Sequence, residues 1–433
     1  MLHDPSHITQ VPVEKEIVIS KEDKAVLRRL GEELKEFAAK DADSDKAELW
    51  CALNDLKSKR PMVWINEIPW HEMNVNDELT LQTKNEWAKE QETNLRRTIY
   101  QRKHMPGDMI VNPYIECPKI FYSTDFGIVE DVDTVRTDEN NEIYSRHFKI
   151  QIKDPEDIEK IALPKITYMQ KATQYQYEAL KDVFDGIIDV KIVGQTHVWY
   201  TPWDYLIRWW GISEAMMDLV MRPQMVHDAY ERMVNAWMSE MDQFEQQNLL
   251  SLDNNNTRIG SGGYGYVSDL PGKDFDAQHV KAHNMWGCAN AQIFSSVSPQ
   301  MHDEFAVQHD LKWLRRFGLT YYGCCEPLDK KMDIMRKIPN LRKISVSAWC
   351  DIDRITSEVG KDYVMSRKPS PAIFSGDNFD AAVAKKHLTD FLDKAKDGHV
   401  ELIMKDISTV NYKPQNLWEW EKIAMQVAMD YAK

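Results

Sequence analysis

Apolar and polar positions alternate along the chain in two distinct rhythms. Near the N-terminus, Leu27, Leu30, Leu34 and Phe37 recur at helical spacing. Ser20 with Asp23 resembles a capping box at the start of that helix. Residues 1–60 therefore read as an N-terminal helical extension. Pro61-Met62-Val63-Trp64-Ile65 is the first apolar run short enough for a buried strand. Residues 122–151 differ in texture: Gly127-Ile128-Val129, a turn-rich Asp138-Glu139-Asn140-Asn141, then Ile143 to Ile150 predict a β-hairpin insertion.

From about residue 188 the rhythm becomes regular. Strand-like segments at 189–194, 249–252, 319–322, 344–347, 363–366 and 400–404 alternate with helical ones. Helices are expected from Ser213, with a break at Pro223, and from Ser298-Pro299 to Gly318. Others are expected up to Gly360, between Phe379 and Gly398, and from about Gln415. Strands alternating with helices predict a parallel sheet. With no Gly-x-Gly-x-x-Gly fingerprint, the expected fold is an α/β class (β/α)8 TIM-like barrel over residues 61–433. Gly260-Ser261-Gly262-Gly263 lacks the lysine of a P-loop and reads as an active-site turn.

Composition narrows the picture. In 433 residues, 43% hydrophobic and 28% charged, a large core can form, and the net charge of -15 argues against nucleic acid or an anionic membrane as partner. No stretch approaches the ~20 apolar residues of a membrane span. The first residues lack a secretory pattern. Six cysteines in so long a chain do not make a disulfide framework, so a reducing cytoplasm is expected. Fourteen tryptophans suggest pockets for a flat, apolar ligand as well as core packing.

In a parallel barrel the chemistry sits at the C-terminal strand ends. Those ends carry Glu67, Trp70, His71 and Glu72; then His197, Trp199, Tyr200, Trp203 and Asp204; then the Asp253–Asn256 run with Asn255; then Cys324-Cys325-Glu326; then Lys405 and Asp406. Thiolates bind zinc, and catalytic zinc sites keep one position open. On residue type alone, buried free cysteines are the commoner explanation. His71 and Glu72 can supply a general acid or ligand, or simply cap a loop. His197 can orient an aromatic substrate or be satisfied within an aromatic core. Asp406 can be a ligand, a base, or part of the last helix's N-cap region. His279 and His283 have i, i+4 spacing, expected on a solvated helical face.

The order of these elements resembles the uroporphyrinogen decarboxylase superfamily. Residues 211–228 resemble its segment after the second central strand, and Val297-Ser298-Pro299 through Phe305 its helix before the site strand. Gly323-Cys324-Cys325-Glu326-Pro327-Leu328 falls where methyltransferase members carry a His-x-Cys-Gly metal motif. Cys324 matches the cysteine, Tyr322 stands at the histidine, Cys325 replaces the glycine, and Lys405-Asp406 occupies the place of the family's second cysteine. The Arg-rich segment of the decarboxylases is missing; residues 64–72 are acidic and aromatic instead.

The resemblance thus implies the corrinoid-dependent methyltransferase branch. The reaction expected is methyl transfer between a small methylated substrate, a methoxylated aromatic or a methylamine, and the cobalt of a separate corrinoid protein. Zinc would be held by Cys324, Cys325 and Asp406. His71, Glu72 and His197 would protonate or position substrate, with Tyr322 as an alternative acid. Trp70, Trp199, Tyr200, Trp203 and Asn255 would bind it. No Asp-x-His-x-x-Gly signature occurs, so methylcobalamin would arrive on the partner. A homodimer is the further assembly to test. The rival expectations are a metal-free decarboxylase or lyase using Glu67 and Asp253, and a non-catalytic tetrapyrrole- or corrinoid-binding protein.

Overall fold

The computed structural model describes residues 17–135, 145–376 and 378–433. Two helices, α1 (Lys21–Ala42) and α2 (Lys46–Asn54), precede the first strand. The Ser20 hydroxyl accepts from the Asp23 amide at 3.0 Å, as a cap should. Asp23 does not complete a box; its carboxylate accepts from the amides of Lys84 and Asn85. It thereby pins the start of α1 to the segment before α3 (Glu86–His104). Leu27, Leu30 and Leu34 pack with α3 and with Leu180, Val183 and Phe184 of α4 (Gln170–Phe184) in one buried cluster. Of the expected helical extension over residues 1–60, helices are observed within 21–54, and residues 1–16 lie outside the described residues.

The strands, in chain order, are β1 (Met62–Ile65), β2 (Tyr114–Pro118), β3 (Phe121–Ser123), β4 (Val132–Val135), β5 (Ser145–Phe148), β6 (Ile166–Tyr168) and β7 (Asp189–Val193). They continue with β8 (Trp286–Ala289), β9 (Leu319–Tyr322), β10 (Leu341–Val346), β11 (Val364–Arg367) and β12 (His399–Met404). Between them run α5 (Pro202–Trp210), α6 (Ile212–Met221), α7 (Pro223–Gln246), the short α8 (Pro299–His302), α9 (Gln308–Leu314), α10 (Met332–Met335), α11 (Ile352–Val359) and α12 (Ala381–Ala395); α13 (Pro414–Asp430) follows the last strand. β4 and β5 pair antiparallel, so the expected hairpin is observed, although its turn at 138–141 lies outside the described residues.

Six strands form one parallel sheet in the order β1-β12-β11-β10-β9-β8. β2 and β7 pair in parallel separately, and Gln195 bridges Leu250. Among the described residues these ladders do not join into a closed sheet. The described residues show an α/β fold with a mostly parallel central sheet of six strands, the coarser part of the expected barrel. A carboxylate binds the backbone of each edge strand. Asp108 accepts the Val63 amide of β1 at 2.7 Å, while the Asp108 amide donates to the Val63 carbonyl. At the other edge, buried Asp253 accepts the Trp286 amide of β8 through both oxygens. Each takes a backbone group that a neighbouring strand would otherwise satisfy.

Polar side chains are buried on the concave face of this sheet. Lys343 of β10 and Glu401 of β12 form a 3.0 Å ion pair with both side chains fully buried. The glycine-rich loop lies directly on them: the Gly263 amide donates to Glu401 at 2.9 Å. A Cβ on Gly262 would come within 2.4 Å of the Glu401 Oε1. That close approach is what the glycines permit. The loop fills the interior and carries no phosphate cradle.

Candidate active site

β9 ends in Gly323-Cys324-Cys325-Glu326, and the turn is forced by Gly323 at φ 96°, where a Cβ would meet Leu328 at 2.8 Å. Buried Glu326 accepts the amides of Cys324 and Ala291, at 2.9 and 3.0 Å. The Ser345 hydroxyl donates to the Cys324 carbonyl. Cys324 is thus held from two strands, with its thiol at the C-terminal end of the sheet. The turn after β9 frees the two cysteines from strand alternation, and their sulfurs lie 3.6 Å apart.

Charged groups from β1, β12 and the loop after Leu250 converge on this pair. Lys405 Nζ lies 3.9 Å from Cys324 Sγ, 2.6 Å from Asp406 and 3.6 Å from Glu67. Arg258 Nη2 binds Glu67 at 2.8 Å, and the Asp406 amide donates to Glu67 at 3.2 Å. Cys325 Sγ lies 3.7 Å from Asp406 Oδ2. The hydrogen bond from Cys325 and the Lys405 charge, against burial, hold the Cys324 thiol below its ordinary range. The same bond and burial push the Cys325 thiol up. Burial alone would raise Glu67, but Arg258 and Lys405 hold it well down. Burial raises Asp406 against the pull of Lys405. Two sulfurs, two carboxylates and two cations thus converge at the C-terminal ends of β1, β9 and β12.

Behind this floor, Tyr321 points inward. Its hydroxyl pairs with Ser261 at 2.8 Å and accepts from Lys368, whose ammonium also donates to Ser366. Burial brings Lys368 down to about 7. His197 Nε2 accepts the Gly260 amide at 2.9 Å, and burial with the Arg258 charge lowers the ring to about 4, so it is neutral at pH 7. Three buried polar atoms here have no protein partner among the described residues: His197 Nδ1, Trp199 Nε1 and Arg258 Nε. Such orphans in a polar recess are where a ligand or water makes its bonds.

Other expected site residues are placed elsewhere. Tyr322 is turned away from the cysteines because alternation puts it on the opposite face from Tyr321. Its hydroxyl bonds His302 at 2.8 Å in the helical layer, with Lys331 on the other ring nitrogen. Tyr200 is fully buried and stacked on Trp313, and Trp203 is fully buried with its indole nitrogen on the Phe305 carbonyl. Both pack in the core. Glu72 is committed as an anchor: it accepts from Thr409 and from the amides of Val410 and Tyr412, tying the loop after β12. Trp70 packs edge-on to Tyr100, with Arg97 over its ring. Asn255 shapes its own loop, bonding Leu252 and Thr257. His71 keeps a buried Nε2 without a hydrogen-bond partner, 3.6 Å from Glu72. His279 and His283 do not share a helix: His279 lies in a turn and bonds the Glu245 carbonyl, and His283 lies in a single 3-10 turn, Ala282–Asn284.

The donor arrangement tests whether zinc fits. Cys325 lies near both Cys324 and Asp406, but the Lys405 ammonium stands against Cys324 and Asp406 and already neutralises them. A dication bound to these atoms would be forced against that ammonium. Among the described residues no group of three or more His, Cys, Asp or Glu side chains is arranged to hold a metal ion. As arranged, the set does not fit zinc.

Arg258, Lys368 and the inward role of Tyr321 were missed from sequence, and Lys405 was noted without a role. Lone cations in loops and strands carry no spacing signal. Only the parity of β9, counted from its buried apolar start, distinguishes Tyr321 from Tyr322. No helix of the described residues is long and apolar enough to cross a membrane. No family model matches the chain, and no curated protein matches it. Among solved structures it is similar to a methyltransferase from Methanosarcina mazei, at 9% identity and a TM-score of 0.52, over 90% of this chain and 99% of that one. At that identity the likeness is one of fold, spanning nearly the whole of both chains.

Proposed function

We propose that the chain is a methyltransferase moving a methyl group between a small methylated substrate and the cobalt of a corrinoid carried by a separate protein. The observation that carries this reading is the Cys324–Lys405 pair, flanked by Arg258 and Glu67, at the C-terminal ends of the parallel strands. The fold it shares with a protein named a methyltransferase supports it. So do the orphaned nitrogens of His197, Trp199 and Arg258, which suit a compact polar ligand. Trp349 and Tyr412, after β10 and β12, stand 80% and 56% exposed on that same end, as a surface meeting a flat macrocycle or its carrier would.

Demethylation breaks the bond between methyl carbon and heteroatom, and the electron pair stays with the heteroatom. The corrinoid would supply the nucleophilic metal that takes the methyl group. Lys405 and Arg258 place positive charge where the leaving atom becomes negative. Asp406, its carboxyl pushed up by burial, is the group placed to supply the proton. Cys324, Glu67 and Asp406 together hold Lys405 charged and fixed. The neutral His197 ring and Trp199 position substrate.

The test is a screen of methoxylated aromatics and methylamines with a reduced corrinoid protein, following methylcobalamin absorbance. Turnover that is lost in Lys405→Met and Cys324→Ser, with fold intact, is expected. No turnover of any donor by the folded protein would overturn the proposal.

A further inference from the structure

Strand alternation on β11 turns Ser366 and Lys368 toward Tyr321 and sends Arg367 to the other face, under the helices. There it enters a cavity of about 260 Å³ between the sheet and α11, α12 and α13. Leu388, Phe391, Leu402 and Trp420 supply its apolar walls. Arg367 Nη1 donates to the Ser347 carbonyl at 2.6 Å, and the guanidinium sits 5.1 Å from the Phe391 ring centre. No carboxylate pairs with it among the described residues, so one of five N–H donors is used within the chain. Burial pulls the guanidinium below its usual range. A half-buried cation with unused donors beside an apolar cavity is placed to receive an anion.

We propose that this cavity is a second binding site, separate from the Cys324 pocket, for a small monocarboxylate with an apolar or aromatic body. The carboxylate would sit on the Arg367 fork, which matches its two oxygens. The body would lie against Phe391, Leu388, Leu402 and Trp420. Asp390 also lines the cavity and is held by Lys386 at 2.5 Å; its presence disfavours a dianion such as phosphate. The volume, near the lower end for ligand sites, suits something the size of benzoate or hexanoate.

Calorimetric titration of the intact chain with benzoate, hexanoate, benzamide and inorganic phosphate tests this. Benzoate or hexanoate is expected to bind at least about tenfold more tightly than benzamide or phosphate. Arg367→Met should lose that preference, Leu388→Trp should block binding by filling the cavity, and Cys324→Ser should bind as the parent does. No binding of either carboxylate, equal binding of benzamide or phosphate, or retention in both cavity variants would overturn the site. Loss in Cys324→Ser alone would place the ligand in the other pocket and equally overturn it.

Discussion

Replacing Lys405 with methionine removes one charge from beside Cys324 while keeping the side chain's length. The ammonium lies 3.9 Å from the sulfur. At an effective dielectric of ~20, two unit charges at that distance attract by about 4 kcal/mol. At about 1.4 kcal/mol per pH unit that is ~3 units of thiol pKa, and water entering the gap would return some of it. Arg258 and the hydrogen bond from Cys325 remain, but Asp406 loses its ammonium partner and Glu67 one of its two cations, which adds negative charge. A rise of ~2 units in the Cys324 titration midpoint is therefore expected. The midpoint is read from thiolate absorbance in the ultraviolet, with Cys324→Ser subtracted in each background. In the parent, the folded-state thiol titrates below its unfolded value. Its pairing thus adds stability that is complete above the unfolded pKa and fades as pH falls through the folded one. Lys405→Met should flatten that dependence. A midpoint moved by less than about half a unit would refute the idea that Lys405 sustains the thiolate.

Three further outcomes follow from the same geometry. Tyr321→Phe should lower turnover per folded molecule as well as costing the stability of its Ser261 and Lys368 bonds, whereas Tyr322→Phe strands buried His302. The latter should cost about 1–3 kcal/mol with turnover per folded molecule preserved; equal effects on both would refute the parity assignment. Lys343→Met leaves Glu401 buried and unpaired, at a cost of about 3–5 kcal/mol. For 433 residues at about 2 cal/mol/K each, that is a drop of ~4 °C by calorimetry, partly recovered by Glu401→Gln. Protein purified without chelator should carry well under one zinc per chain by elemental analysis; stoichiometric zinc lost in Cys324→Ala would show that Lys405 yields its place to metal.

The strands legible in sequence were those with unbroken apolar or β-branched runs: β1, β7, β9, β10, β11 and β12. β8 escaped because Trp286-Gly287-Cys288-Ala289 contains a glycine and two small residues, and its burial comes from Phe317 and the neighbouring strand. α5 escaped for the opposite reason. Trp203 reads as a substrate residue after a strand, but helical spacing turns Trp203, Leu206 and Trp210 together into the core. The roles of Asp108 and Asp253 at the two edges of the parallel sheet were not legible, because they depend on chain segments brought together from a distance. At the site, the cysteines and Asp406 were found because a motif draws attention to strand ends. The cations that set their charge were not, since Arg258 and Lys405 become informative only once folding places them within 4 Å of Glu67.

An ammonium and a metal ion are not interchangeable partners for a thiolate, and the difference bears on which substrate class the site favours. A metal polarises the leaving atom directly, whereas Lys405 and its neighbours offer fixed positive charge and labile protons. A methoxylated aromatic leaves as a phenolate, which gains from both. A quaternary ammonium leaves as a neutral amine and gains from neither; its own charge is repelled by Lys405 and Arg258. On the proposed reaction, aryl methyl ethers should outpace quaternary amines. Adding an electron-withdrawing ring substituent, which steadies the phenolate, should narrow the loss caused by Lys405→Met. Comparing that loss across a series of substituted methoxybenzoates measures how much charge the lysine carries at the transition state. An equal loss for every member of the series would place Lys405 in binding or structure and remove it from the chemistry.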